Sequence, residues 1–227
     1  PLVEISRNAG VKRFIYASSS SVYGIKDEPD VHEEISLEPL TDYSRFKADC
    51  EKILAKFQSE DFATVTIRPA TVCGYSPRMR LDLSVSLLTM HALTKEKITV
   101  FGGQQTRPNI HMDDMISVYL HFLELGAKAS GVYNAGFENI SILDIAKKIV
   151  KVIPAEIVVT ESNDPRSYRQ DSNKLLDTGF NQKYDVDDGI TDVIKAYENG
   201  RLIDSDQFYN VRSMKKLDLQ SLSSQDY

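Results

Sequence analysis

The sequence predicts an α/β fold, in which a doubly wound parallel sheet carries a smaller α/β lobe. Three observations predict it. Apolar runs of strand length alternate with segments of helical period along most of the 227 residues. The run Arg13–Ala17 ends in a serine cluster, Ser18–Ser21, and open α/β sheets present reactive groups at strand ends. Tyr43 and Lys47 stand four apart in a segment where Tyr43, Phe46, Cys50, Ile53, Leu54 and Phe57 recur at steps of three and four.

Taken in order, residues 2–9 read as the end of a helix closed by Gly10, and 13–17 as a buried strand. Residues 24–41 form a polar loop with Pro29 and Pro39, its carboxylates a solvated surface. Thr41 or Asp42 caps a helix over 42–58. The run 63–68 is a strand ended by Pro69, and 68–74 by itself is a strand-to-loop exit. A helix over 83–94, a strand over 97–101 and a Gly102-Gly103 turn follow. Next come a helix over 114–125 and a strand over 131–136. Ser141 and Asp144 form a capping box that opens a helix over 142–153, whose inner face is Ile142, Ile145, Ile149 and Ile153. Residues 157–159 make a strand and 187–199 the last helix; the tail from Asp204 is polar, without a pattern. The expected division is 1–74 in the sheet domain, with 97–124 returning to it. The lobe takes 75–96 and 125–203, and 204–227 form the tail.

Composition bounds the function. The chain is 41% hydrophobic and 26% charged, as globular domains are, with net charge −6. No basic stripe marks a nucleic-acid binder, and no apolar run approaches the roughly 18 residues of a membrane span. Two cysteines, Cys50 and Cys73, fit free thiols in a reducing cytoplasm. No Cys/His spacing reads as a metal site.

The spacing of Tyr43 and Lys47 puts phenol and ammonium on one helix face, one turn apart. A free tyrosine, with a pKa of about 10, is a poor base at neutral pH. A cation nearby favours the phenolate, which makes the pair a general base or acid. A serine hydroxyl at the strand end can hydrogen-bond the oxygen whose proton the tyrosine takes.

Ser19, four before the tyrosine of Val22-Tyr23-Gly24, together with Tyr43 and Lys47, resembles the Ser/Thr-Tyr-Lys triad of the extended short-chain dehydrogenase/reductase family, in particular its nucleotide-sugar epimerases and dehydratases. Ser18 and Ser20 are the alternates for Ser19. The run Arg68-Pro69-Ala70-Thr71-Val72-Cys73-Gly74 is similar to the family's R-P-x-N-V-Y-G, with Thr71 and Cys73 in place of Asn and Tyr. Phe101–Met115 resembles its arginine segment, and Gly131–Gly136 its YN-x-G strand.

The resemblance implies a Rossmann-type sheet and NAD as cofactor, held by Ala17, Ser18, Tyr43, Lys47, Pro69 and Ala70. It implies a nucleotide-diphosphate sugar as substrate, held by Ser19, Thr71, Arg78, Arg80, Arg107 and Arg166, with Arg169 as the alternate to Arg166. Arg78 and Arg80 read equally as surface arginines paired with Asp82. His111 and Asp114 are expected to hold a loop and cap a helix.

The implied activity is that of a UDP-glucose 4-epimerase-like enzyme, which oxidises the sugar C4 hydroxyl to a transient ketone and reduces it again. A 4-dehydrogenase or reductase, or a non-catalytic NAD(P) sensor, are the alternatives. Ser20 and Ser21 stand where 4,6-dehydratases carry Asp and Glu. A homodimer is implied through the Tyr43–Lys47 helix, with Cys50, Leu54 and Phe57 as the candidate seam. No G-x-x-G-x-x-G or G-x-G-x-x-G occurs, which predicts a sheet domain incomplete at its N-terminal side, with its first βαβ units lying outside this chain.

Overall fold

The computed structural model describes residues 1–126, 129–162, 167 and 169–216. Helix α1 spans Leu2–Asn8 and leads into strand β1, Arg13–Ala17. After a polar loop comes α2, Asp42–Ala55. Thr41 is its cap: Thr41 Oγ1 accepts from the Ser44 amide at 3.2 Å, and Ser44 Oγ accepts from the Thr41 amide at 3.0 Å. Strands β2 (Ala63–Pro69) and β3 (Thr71–Cys73) precede α3 (Ser84–Lys95), β4 (Lys97–Phe101), β5 (Thr106–His111) and α4 (Met112–Glu124). Then follow β6 (Gly131–Ala135), β7 (Glu138–Ser141), α5 (Ile142–Val150), β8 (Glu156–Thr160), α6 (Asn173–Leu176), α7 (Val186–Glu198) and α8 (Asn210–Lys216).

Among the described residues the strands form three sheets. The first is fully parallel, in the order β1-β2-β6, with Tyr16 opposite Thr66 and Arg68 opposite Asn134. The second is β3-β5-β7, with β3 parallel and β7 antiparallel to β5. The third pairs β4 with β8.

This pairing corrects the expected division at two places. The run 97–101 does not return to the first sheet; β4 pairs with β8 in the lobe. The run 131–136, assigned to the lobe, supplies β6, the third strand of the first sheet. Within 97–124, helix α4 does pack on the first sheet. Met115, Val118 and Phe122 meet Val65, Ile67, Tyr133 and Ala135 in one buried cluster. β1, expected to be buried, is half-buried, because it lies at the edge of its sheet.

The lobe has its own core. Val85, Leu88 and Ala92 of α3 pack with Ile98 and Val100 of β4, Ile145 and Ile149 of α5, and Ile190 of α7. Residues 204–216 are ordered where the sequence has no pattern. Residues Asp206–Phe208 form a short 3-10 turn before α8, and Tyr209 is buried with Met79, Leu81, Met90, Val193 and Leu202. Its anchors, Leu202, Phe208 and Tyr209, have neither a strand nor a helix period, so periodicity misses them.

Candidate functional site

The site begins where β1 ends. The Ser18 amide donates to the Ile67 carbonyl at 2.8 Å, tying the strand end to β2. The chain then turns into a 3-10 helix, Ser20–Tyr23, capped by Ser19, whose Oγ accepts from the Ser21 amide at 3.2 Å and lies 2.9 Å from Ser21 Oγ. Gly24 closes this turn at φ +74, where a Cβ would fall 2.0 Å from the Glu38 carbonyl oxygen. Only glycine lets the serine turn pass so close to the loop 24–41.

Tyr43 sits in the first turn of α2 and is 58% exposed. Lys47, one turn on, donates from Nζ to the Ala17 carbonyl at 2.5 Å. Its ammonium is 5.7 Å from the Tyr43 ring centroid and 5.1 Å from that of Tyr16. Burial, with Cys50, Glu51 and Tyr43 nearby, pushes the Tyr16 phenol up and keeps it protonated.

Beneath this surface lies a polar network the sequence reading did not single out. Glu51 and Arg68 are only 6% and 4% exposed. Arg68 Nη2 lies 2.6 Å from Glu51 Oε2, and its Nε donates to both carboxylate oxygens at 3.1 and 3.2 Å. Ser18 Oγ donates to the same carboxylate. Arg68 Nη1 donates to the Tyr23 hydroxyl at 2.8 Å, and that hydroxyl donates to Asn134 Oδ1 at 2.7 Å. Burial pushes the Tyr23 phenol up to about 12, with the Arg68 charge working the other way. Ser18 is therefore committed to support, which leaves Ser19 as the half-buried hydroxyl of the strand end. One signal was available: Glu51 continues the row Tyr43, Lys47 at the next i+4 step, on the inner face of α2.

A cavity of about 600 Å³ opens beside Tyr43. Ser18, Ser19, Pro69, Ala70 and Thr71 form its sheet side. Arg80 and Arg107 form its far side. A second cavity, about 380 Å³, adjoins it and shares Thr71, Leu83 and Arg107. Its walls include Leu87, Leu88, Phe101 and Ile142, with His91 and Thr99. Arg107 thus stands at the junction of the two.

Not every expected residue is brought to the cavity. Ala17 and Lys47 lie behind the strand end, joined to each other. Arg78 is exposed and donates to Asn210 Oδ1 at 3.3 Å. Arg80 does line the cavity, and it is paired there with Asp82 through two contacts of 3.0 Å. Arg166 lies outside the described residues, and the Arg169 carbonyl accepts from the Val31 amide at 2.8 Å. The sequence expectation missed Asn210, which lines the main cavity from the tail.

Three further groups are structural. His111 caps α4, its Nδ1 accepting from the Asp113 amide at 3.2 Å, and lies 4.7 Å from the Tyr184 ring. Asp114 is buried and accepts from the Lys183 and Tyr184 amides, so it holds the loop before α7. Burial pushes the Cys73 thiol up to about 12 and keeps it neutral. Among the described residues no cluster of three or more His, Cys, Asp or Glu is placed to hold a metal, and no helix is long and apolar enough to cross a membrane.

The profile of the NAD dependent epimerase/dehydratase family matches residues 1–136. A dTDP-D-glucose 4,6-dehydratase of Dictyostelium discoideum is 31% identical over 164 residues, 66% of this chain and 37% of that protein. An uncharacterized UDP-glucose epimerase, YtcB, of Bacillus subtilis is 37% identical over 117 residues, 51% of this chain and 36% of that protein. The chain thus spans little more than a third of the length of these two curated relatives. A UDP-glucose 4-epimerase of Lactobacillus helveticus is 27% identical over 223 residues, 87% of this chain and 68% of that protein. Among solved structures, UDP-glucuronic acid 4-epimerase from Bacillus cereus, in complex with UDP-glucuronic acid and NAD, superposes with a TM-score of 0.75 at 28% identity. It covers 87% of this chain and 65% of that one. A parallel sheet ending in a serine turn, a tyrosine and lysine one turn apart beside it, and a family profile over more than half the sequence have one reading: the chain belongs to the NAD dependent epimerase/dehydratase family, whose fold is the Rossmann-type sheet with a smaller α/β lobe.

Proposed function

We propose that this chain carries the catalytic and substrate-binding part of an NAD-dependent nucleotide-sugar 4-epimerase, and that the enzyme works in the cytoplasm. One observation carries the choice of reaction. Among the described residues lining the cavity beside Tyr43 there are hydroxyls, arginines and an amide, but no carboxylate, imidazole or thiol. Removing water from a sugar needs an acid and a base besides the tyrosine. Ser20 and Ser21 occupy the wall there and are too weakly acidic and basic for that work.

The residues fit the nicotinamide end of the cofactor. The serines with Pro69 and Ala70 line one side of the cleft, and the Lys47 ammonium is held on the Ala17 carbonyl behind the strand end. NAD bound there would supply the hydride acceptor for the sugar carbon and the donor that restores it. Tyr43 takes the proton of the C4 hydroxyl as the ketone forms and gives it back when the hydroxyl is restored. Ser19 hydrogen-bonds the same oxygen. Lys47 stabilises the phenolate electrostatically and holds the nicotinamide ribose. Arg107, between the two cavities, holds the diphosphate, with the sugar toward Tyr43 and the nucleoside toward Leu87 and Phe101.

Arg107→Ala should therefore weaken UDP-glucose binding by roughly 10- to 100-fold, one charge-assisted hydrogen bond or more, with bound NAD unchanged. Calorimetric titration with UDP-glucose and with UDP measures this, and an unaltered affinity for UDP would remove Arg107 from the site.

The proposal includes a homodimer through α2, with a corrected seam. Leu54 is buried within the chain, whereas Phe46 and Ile53 are 70% and 51% exposed and flank exposed Cys50. These three recur at i, i+4 and i+7 and form one ridge. Ile53→Glu should convert the dimer to monomers by light scattering, with the far-UV spectrum retained; an unchanged mass would exclude α2 as the seam.

The reaction is tested on the whole protein with NAD and a panel of UDP-, GDP-, CDP- and dTDP-sugars. Appearance of the 4-epimer with no net NADH is expected. Net NADH release would support the 4-dehydrogenase or reductase reading, which uses the same Tyr43 and Lys47, and loss of water would overturn both.

A further inference from the structure

The tail is tied to the arginines of the cavity by one residue. Tyr209, buried in the lobe, anchors the segment, and the Phe208 carbonyl accepts from the Leu81 amide at 2.9 Å. The Tyr209 hydroxyl donates to Asp204 Oδ1 at 2.8 Å, and the Arg212 guanidinium lies 3.8 Å above its ring. The next residue, Asn210, reaches the cavity wall shared with Tyr43, Thr71, Arg80 and Arg107. Its Oδ1 accepts from Arg78 Nη2 at 3.3 Å, and its amide donates to Asp82 Oδ2 at 3.3 Å. Asp82 in turn holds Arg80 from both oxygens. One residue thus touches both ends of the loop Arg78-Met79-Arg80-Leu81-Asp82, whose apolar members Met79 and Leu81 are buried beside Tyr209.

We propose that Asn210, which alone of the tail's described residues lines the cavity, is the positioning residue that fixes Arg80 on the cavity wall and Arg78 beside it for a nucleoside diphosphate. The inference rests on the nucleotide-sugar reading above and adds to it. A guanidinium on a flexible stem loses rotamer freedom when it grips an anion. Holding two of them beforehand removes part of that loss from binding. The selectivity follows from the same geometry: the held arginines favour the doubly phosphorylated ligand and leave the nucleoside alone indifferent.

The test uses the whole protein and UDP, GDP, CDP and dTDP, each titrated calorimetrically beside its nucleoside. Asn210→Ala should weaken the best diphosphate about tenfold, the loss expected for one hydrogen bond to a charged group, and leave its nucleoside within about twofold. Tyr209→Phe removes only the hydroxyl that faces Asp204, and it should leave diphosphate affinity unchanged. Asn210→Ala with wild-type diphosphate affinity, whatever its thermal midpoint, overturns the proposal. Equal losses for diphosphate and nucleoside overturn it too, because a merely disturbed wall gives that result. Arg107→Ala separates the two readings. If it weakens the diphosphate while Asn210→Ala does not, the tail's role alone fails. If the wild-type protein binds none of the four diphosphates, both readings fall.

Discussion

Replacing Tyr43 with phenylalanine is expected to lower turnover by at least about two orders of magnitude, the low end of what a general base contributes. The substitution deletes one oxygen and keeps the ring. Because the side chain is 58% exposed at the start of α2, no buried partner is left unsatisfied, and stability should stay within about 0.5 kcal/mol of wild type. Cofactor content and nucleotide affinity should also hold, since Lys47, Pro69, Ala70 and Arg107 are untouched. Steady-state kinetics beside calorimetric binding measures the split. A packing role for Tyr43 predicts the reverse, a stability change with little kinetic effect. A variant turning over near the wild-type rate would sink the mechanism whatever the fold. Lys47→Met supplies the companion result: the 2.5 Å bond to the Ala17 carbonyl is lost, so turnover should drop and bound cofactor with it.

Glu51→Ala is expected to cost about 3–5 kcal/mol of folding free energy, the penalty for leaving a buried ion without its partner. Arg68 is 4% exposed and has three contacts to that carboxylate. Its other partners, the Tyr23 hydroxyl and the Glu33 carbonyl, are neutral and do not offset the charge. Total stability of a domain is about 5–15 kcal/mol, so the loss should be roughly a fifth of it or more. Paired with Arg68→Met, Glu51→Leu should recover most of the loss, because an apolar pair of similar volume carries no desolvation cost. Chemical denaturation of wild type, Glu51→Leu, Arg68→Met and the double variant closes the cycle, with Glu51→Ala measured beside them. A loss below about 1 kcal/mol in Glu51→Ala would show that water reaches the pair and that it is a surface contact in energy. The repaired double variant should still turn over more slowly, since Ser18 has lost its acceptor and the serine turn its anchor.

The legible parts of this chain were those decided within a few residues. That Tyr43 and Ser19 line one cavity, with Lys47 one turn on from Tyr43, was readable because an i+4 step and a strand-end serine cluster are local. The capping by Thr41 and Ser141 was readable for the same reason. Strand partners were not. Ile98–Phe101 and Val132–Ala135 are equally apolar, and only the packing of α4 against Tyr133 and Ala135 decides which one joins β2. The buried pairing of Glu51 with Arg68 was not legible because a charge on a helix or strand is ordinarily solvated, and burial is a property of the assembled layers. Asn210 escaped because 132 residues separate it from Arg78, and no sequence period links them.

The first sheet has one more consequence, for the behaviour of the chain in solution. Among the described residues no strand pairs with the outer side of β1. Left uncovered, that side would offer a row of main-chain donors and acceptors on a segment, Arg13-Phe14-Ile15-Tyr16-Ala17, with one charge and no proline or glycine. Exposed Leu2, Ile5 and Val11 lie just before it in the chain. Such a segment is a template for strand addition between molecules, the first step of cross-β aggregation. Arg13, at its start, is the single gatekeeper charge. Wherever this edge is left uncovered, strand addition over these five residues sets how concentrated a solution of the chain can become.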